Sequence, residues 1–488
     1  MKINQKSGIN NLKIFIYITT ILLFPDILAF SSEVTSPSSL GIHTDTDRLA
    51  DDAGRQVILR GVNAGGRSKL PPFYPFDPEP DFDTALARYV DGIQSLGFNV
   101  VRLLIIYEAA EPVRGQYNGE YLAIYDKMVK ALGARGIRVI VDGHQDIFNR
   151  RLCGDGFPDW ALPVKYRSLP QHSDCKFWSF LYFTRPVSSS FDRFWENADG
   201  IQDRYIQFFK MLAERYKDES AVIGFEPINE PMPGRKGMAN YSEWHRQLYK
   251  LYEKVGTAVH AADPRFLIFA DICPLENTGA WNTMRPRPEI TNLVFSPHYY
   301  DPGTFGMSLG HGGDKWLMKN GLHKHLQQAR FWNVPMLVTE YGISPIFKEA
   351  PLYIVKLYSV FDEFQLSGTF WEASMSKTVW NMENTSIFEP DGSLRPRAVN
   401  LNRPYPRALA GKIKSFSFDP HTAGFQLTWV ENPKISMPTE IYLPKHLYPN
   451  GPKHNLDADD KFSFDPNSGV LSIYPRNQGK QRELTVTP

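Results

Sequence analysis

Eight short apolar runs recur between residues 57 and 371, separated by longer amphipathic stretches. They are Val57 to Asn63, Asn99 to Tyr107, Arg138 to Asp142, Val222 to Ile228, Phe266 to Ile272, Leu293 to His298, Met336 to Glu340 and Gly368 to Trp371. Helical patterns lie between them. Thr84 to Leu96 sets Leu86, Tyr89, Val90, Ile93 and Leu96 on one face, and Tyr121 to Leu132 is closed by Gly133. This alternation predicts repeated βα units around a parallel sheet, and eight units predict a closed (β/α)8 barrel. Polar or aromatic residues mark the C-terminal end of nearly every run: Asn63, Glu108, His144, Glu230, His298, Glu340 and Trp371. Packing gives a buried strand no reason to end this way, whereas barrel active sites are built from those strand ends and the loops after them.

After about residue 400 the pattern changes to strands and turns without a helical period. Phe416-Ser-Phe-Asp-Pro420 recurs as Phe462-Ser-Phe-Asp-Pro466, each followed by a glycine turn and an alternating strand. A small antiparallel β-sandwich is expected there. The division expected is a leader over 1–31, a catalytic barrel over 32–400 and a sandwich over 401–488. The leader rests on Lys2, Lys6 and Lys13, the apolar run Ile14 to Phe24, and small residues near Ala29 to Ser32. A run of this length falls short of the roughly 20 apolar residues a spanning helix needs, so a signal peptide and a secreted or lumenal chain are expected.

With 54 basic against 53 acidic side chains, no global field draws the chain toward nucleic acid. Cys153 and Cys175 bracket a loop-like stretch, and Cys273 ends an apolar run, so a Cys153–Cys175 bridge and one buried thiol are expected. No metal-type Cys/His spacing and no phosphate-binding glycine loop is visible, so no cofactor and no metal are expected. Asn240-Tyr-Ser242 and Asn384-Thr-Ser386 fit the N-glycan acceptor triplet.

The fourth run leads into Asn229-Glu230-Pro231 and the seventh ends Thr339-Glu340-Tyr341. A carboxyl at a barrel mouth donates a proton near neutral pH if burial and negative neighbours raise its pKa. A buried Glu340 needs partners, and Arg102 and Tyr300 are the candidates; an Arg102 ion pair that only supports the barrel fits its position equally well. Two such carboxyls about 5 Å apart predict hydrolysis with retention, and about 6.5–9.5 Å predicts inversion. Spacing in the sequence leaves both open.

Asn229-Glu230-Pro231, His298-Tyr299-Tyr300, Thr339-Glu340-Tyr341 and Phe370-Trp371 occur in an order that resembles the retaining barrel glycosidases of glycoside hydrolase family five. Gly61 to Lys69, Asp142-Gly-His-Gln-Asp146 and Gly154 to Trp160 are similar, more narrowly, to the endoglycoceramidases. The resemblance implies release of an intact glycan from the ceramide of a glycosphingolipid, in membranes or micelles. It implies Glu230 as acid/base and Glu340 as nucleophile. Lys69, His144, Asp146, Asn229, Tyr300 and Trp371 become sugar contacts, with Arg102 and His298 in support. The family motif often carries an aliphatic or methionine residue where this chain has Gly143. A β-glucanase, a mannanase or a lipid glucosidase on the same barrel is the first alternative, and a carbohydrate-binding protein without turnover the second.

The stretch from Phe148 to Asp199 is too long for an ordinary βα connection and is thick with aromatic residues. Trp178, Phe180 and Phe183 are candidates for contact with a lipid tail. The alternative is that these aromatics bury one another as a satellite core.

Overall fold

The structure, a computed structural model, describes residues 40–279, 284–302, 312–476 and 478–488. The expected leader lies outside the described residues. The barrel strands are β1 (Arg60–Ala64), β2 (Val100–Ile106), β3 (Arg138–His144), β4 (Val222–Glu226), β5 (Leu267–Ala270), β6 in two pieces (Leu293–Phe295 and His298–Tyr299), β7 (Leu337–Tyr341) and β8 (Ser367–Phe370). Each pairs in parallel with the next. The pairing of β8 with β1 closes the ring. Every residue of these strands is buried, as expected where side chains fill the inside and helices cover the outside.

Helix α1 (Phe82–Ser95) buries Leu86, Tyr89, Val90 and Ile93, the face predicted from spacing. Asp81 caps it by accepting from the Thr84 amide. Helix α2 (Gly119–Ala134) runs past Gly133, the predicted stop. There a Cβ would come within 2.8 Å of the Ala221 Cβ, so this glycine answers to close packing. Gly136, at φ +70, is the residue beyond the helix that takes the left-handed conformation.

The first predicted run divides. Gln56–Val57 pairs with Leu49–Ala50 and with Ala408–Leu409 instead of entering the barrel. An N-terminal hairpin, Ile42–Asp45 and Arg48–Asp51, thereby extends a seven-stranded sheet whose other strands come from the C-terminal region. A four-stranded sheet built on Gly411–Asp419 and Gly424–Glu431 accompanies it, and Phe416, Phe425, Trp429, Ile441, Leu471 and Leu484 fill a shared core. The repeated Phe-Ser-Phe-Asp-Pro segments both lead into hairpin turns. Asp419 accepts from the His421 amide, and Asp465 from the Asn467 amide. Asp362, after β7, pairs with Arg60 at 3.2 Å and with Arg403, joining barrel and C-terminal region.

Cys153 and Cys175 are bridged, and Cys273 is buried and free. Asn381, after β8, donates to the Cys153 carbonyl at 2.7 Å and accepts from the Cys175 amide at 2.9 Å, so the bridged loop is tied across the barrel mouth. The bridge spans 22 residues, and constraint of the unfolded chain on that scale contributes about 3 kcal/mol. Cys153→Ser is expected to lower the melting temperature by several degrees, as read by calorimetry; an unchanged value would show that Asn381 holds the loop unaided.

The aromatic loop resolves into two layers. Phe148, Phe157, Phe191 and Phe194 are buried, and Phe148 stacks on Phe157 at 4.3 Å. They join the barrel core itself, with Phe157 and Phe194 against Tyr205. Phe180 and Phe183 stand 71% and 58% exposed and their neighbour Phe177 78%, whereas Trp178, the third ring expected to meet lipid, packs on the core 4.9 Å from Trp380.

Candidate active site

Glu226 is the last residue of β4, and Pro227 follows it without an amide hydrogen to continue the ladder. The chain then turns so that Glu230 adopts φ +42, an uncommon conformation for a residue with a Cβ and one that collects at functional sites. The Glu230 amide donates to Asp271 Oδ2 at 2.7 Å, and Gln145 Nε2 donates to its carbonyl at 3.2 Å. Held this way, its carboxyl faces Glu340 of β7. One oxygen of each lies within 4.8 Å of the other, with a His298 nitrogen equally close.

The two carboxyls have different partners. Glu340 accepts from Tyr300 Oη at 2.5 Å and from Arg102 Nη1 at 3.3 Å. Glu230 accepts from Asn277 Nδ2 at 2.6 Å and lies 3.0 Å from His298 Nδ1. Burial depresses the His298 pKa, with Glu340 pulling it the other way. Glu340 therefore has a guanidinium beside it, and Glu230 is held by a side-chain amide and an imidazole. Burial and the negative charge of Asp146 push Glu230 up to about 7. Burial raises Glu340 as well, opposed by His298 and Arg102. Two buried carboxylates this close resist double ionisation, and the guanidinium favours the charged form of Glu340.

Arg102 organises the floor. Its guanidinium meets Glu226 at 2.5 Å, Asp142 at 3.0 Å, Asn63 Oδ1 at 2.9 Å and Asn229 Oδ1 at 2.8 Å. A buried cation among so many carboxylates stays charged, despite the cost of burial. The support reading of Arg102 and its contact with Glu340 both hold. Asn229 donates in turn to the Gln145 carbonyl at 2.9 Å. Asn63 is spent on the backbones of β7 and β8.

The opposite wall comes from β3, β8 and their loops. His144 Nδ1 lies 2.7 Å from Asp142 and its Nε2 3.4 Å from Asp146. Burial opposes charge on this ring, but the two aspartates outweigh it and lift His144 to about 10. Trp371 stacks on it, with centroids 5.5 Å apart. Lys69 Nζ reaches Asp146 at 2.6 Å and sits over the rings of Trp371 and Trp380 at 4.4 and 4.1 Å. Burial would raise Asp146, yet Lys69 and His144 hold it well below the usual carboxylate range. Gly143 has a local reason: a Cβ there would come within 2.6 Å of Tyr205 Oη and 2.8 Å of the Pro227 carbonyl.

All ten residues singled out from the sequence gather in this one mouth. Asp271, Asn277, Gln145 and Glu383 were missed. Asp271 stood inside an apolar run, a buried carboxylate that asks for a reason; Gln145 stood inside the Asp142-Gly-His-Gln-Asp146 motif without a role, and Asn277 and Glu383 come from loops and carried no signal. Among the described residues three carboxylate–histidine groups approach the spacing of a metal site: His144 with Asp146 and Asp155, Glu226 with Asp271 and His298, and Glu230 with His298 and Glu340. In the first two Lys69 and Arg102 already supply the compensating charge.

A family model described as cellulase (glycosyl hydrolase family 5) matches residues 52–377. The chain belongs to glycosyl hydrolase family 5. A second model, the glycoside hydrolase family 5 C-terminal domain, matches residues 403–487. The endoglycoceramidase of Hydra vulgaris is 26% identical, over 94% of this chain and 92% of the relative. Endoglycoceramidase I of Rhodococcus hoagii is 27% identical, over 90% and 86%. Among solved structures, endo-glycoceramidase II from Rhodococcus sp. in complex with ganglioside GM3 superposes with a TM-score of 0.75 at 26% identity, covering 91% of this chain and 100% of that one. This family 5 member is a glycoside hydrolase on a barrel with a C-terminal β domain.

Proposed function

We propose that the protein is a secreted, retaining, endo-acting hydrolase of glycosphingolipids, which cuts between glycan and ceramide. Likeness to endoglycoceramidases over nearly the whole chain supports the substrate class. The observation that supports the mechanism is the approach of one oxygen of Glu230 to within 4.8 Å of one of Glu340, which favours the short spacing of retaining enzymes. Glu340, ionised beside Arg102, attacks the anomeric carbon. Glu230, holding the proton, delivers it to the ceramide oxygen and then, as a base, takes one from the water that hydrolyses the glycosyl-enzyme. Lys69, His144, Asp146, Asn229, Tyr300 and Trp371 hold the sugar beside the cleaved bond. The mature chain begins near residue 32.

The test is incubation with lactosylceramide and gangliosides, followed by lipid analysis and NMR of the sugar at early times. Ceramide and intact glycan, released first as the β anomer, are expected. Glucosylceramide, a stepwise-shortened glycan or an α product would overturn the reading.

The exposed Phe177, Phe180 and Phe183 present the apolar surface that a ceramide tail or micelle needs. Changing all three to Ser is expected to raise KM for micellar glycolipid about tenfold while a soluble aryl lactoside is cleaved as before. Equal losses on both substrates with a lowered melting temperature would assign these rings to loop packing.

A further inference from the structure

Glu383 lies in the loop after β8, just beyond the short turn Trp380–Met382. One oxygen accepts from Trp371 Nε1 at 3.2 Å and the other lies 3.2 Å from Lys69 Nζ. Lys69 in turn joins Glu383 to Asp146 at 2.6 Å. The side chain is 11% exposed, so the group is not sealed in the core. Each carboxylate oxygen offers two acceptor directions and is given one donor here, so both keep capacity. An ammonium flanked by two carboxylates, against indole faces, matches what a sugar presents: adjacent hydroxyls that each donate and accept, and an apolar ring face.

We propose that Glu383, paired with Lys69, binds glycan hydroxyls and selects which glycans the site accepts. The inference rests on the glycosidase reading above and adds to it a residue and a role. Asp146 already holds the same ammonium at shorter range, so Glu383 keeps acceptor capacity to offer a ligand. Binding through Glu383 makes the site sensitive to the presence and orientation of particular hydroxyls. Buried polar groups left unpaired reject an analogue that lacks its hydroxyl far more strongly than a pocket rejects a change in size.

The experiment crosses the enzyme with its substrate. Aryl β-lactoside and a set of its monodeoxy derivatives are cleaved by the unaltered protein and by Glu383→Gln, which keeps the shape but loses the charge and one of the two acceptor oxygens. In the unaltered protein, removal of one or two particular hydroxyls is expected to lower kcat/KM about 10- to 100-fold. In Glu383→Gln the penalty at those same positions should shrink to about threefold or less, while penalties at the other positions persist. A uniform loss across the whole set, with the pattern unchanged, would leave Glu383 as a support for Lys69 and overturn the proposal. So would an unaltered protein indifferent to every single hydroxyl. If the unaltered protein leaves the parent lactoside uncut, the glycosidase reading fails, and this inference falls with it.

Discussion

Glu340→Ala is expected to lose on the order of 10⁴- to 10⁶-fold in turnover, and added azide to restore part of it. The product should be a glycosyl azide of inverted configuration. The reason lies in what truncation leaves behind: a small hole beside the anomeric carbon, flanked by the Tyr300 hydroxyl and the Arg102 guanidinium that had stabilised the carboxylate. A small anion fits that hole and attacks once, and no carboxylate remains to displace it. Gas or liquid chromatography of the azide product, with NMR of its anomeric proton, makes the measurement. Retained activity in the alanine variant would remove Glu340 from the reaction.

The second large effect separates the two glutamates. Glu230→Ala should abolish cleavage of glycolipid, whose ceramide alkoxide departs only with a proton, a loss of about 10²- to 10⁴-fold or more. A dinitrophenyl lactoside, whose leaving group departs unaided, should still form the glycosyl-enzyme, so stopped-flow absorbance should show a burst followed by slow turnover. The pH profile supplies an independent check. Burial and the charge of Asp146 raise Glu230 to about 7, so the protonated acid dominates below that value and is lost as pH rises through it. In the unaltered protein the rate on glycolipid should fall on the basic side near pH 7, and in Glu230→Ala that limb should vanish. Equal inactivity toward both leaving groups in a folded variant would reverse or cancel the assigned roles.

The barrel and its mouth were legible because strands buried on both faces leave near-continuous apolar runs, so polar residues at their ends stand out against the background. That is why Glu340, at the close of Leu337–Tyr341, and His144, at the close of β3, could be named from the chain alone. Sequence patterning also marked the C-terminal sheets and the bridge between Cys153 and Cys175. It misassigned Val57, the start of the first run, because a strand paired in a second sheet looks, residue by residue, like one paired in the barrel.

Tertiary structure alone decided three matters. The separation of Glu230 and Glu340, which distinguishes one stereochemical course from the other, depends on how β4 and β7 sit across the closed ring. The unequal surroundings of the two glutamates depend on a guanidinium from β2 reaching one carboxylate at 3.3 Å. The presence of Glu383 depends on a loop after β8 folding back over Lys69. Composition and periodicity report whether a side chain is turned toward the interior. Distances between side chains far apart in the chain are set by ring closure and loop packing, and proton affinities follow from those distances.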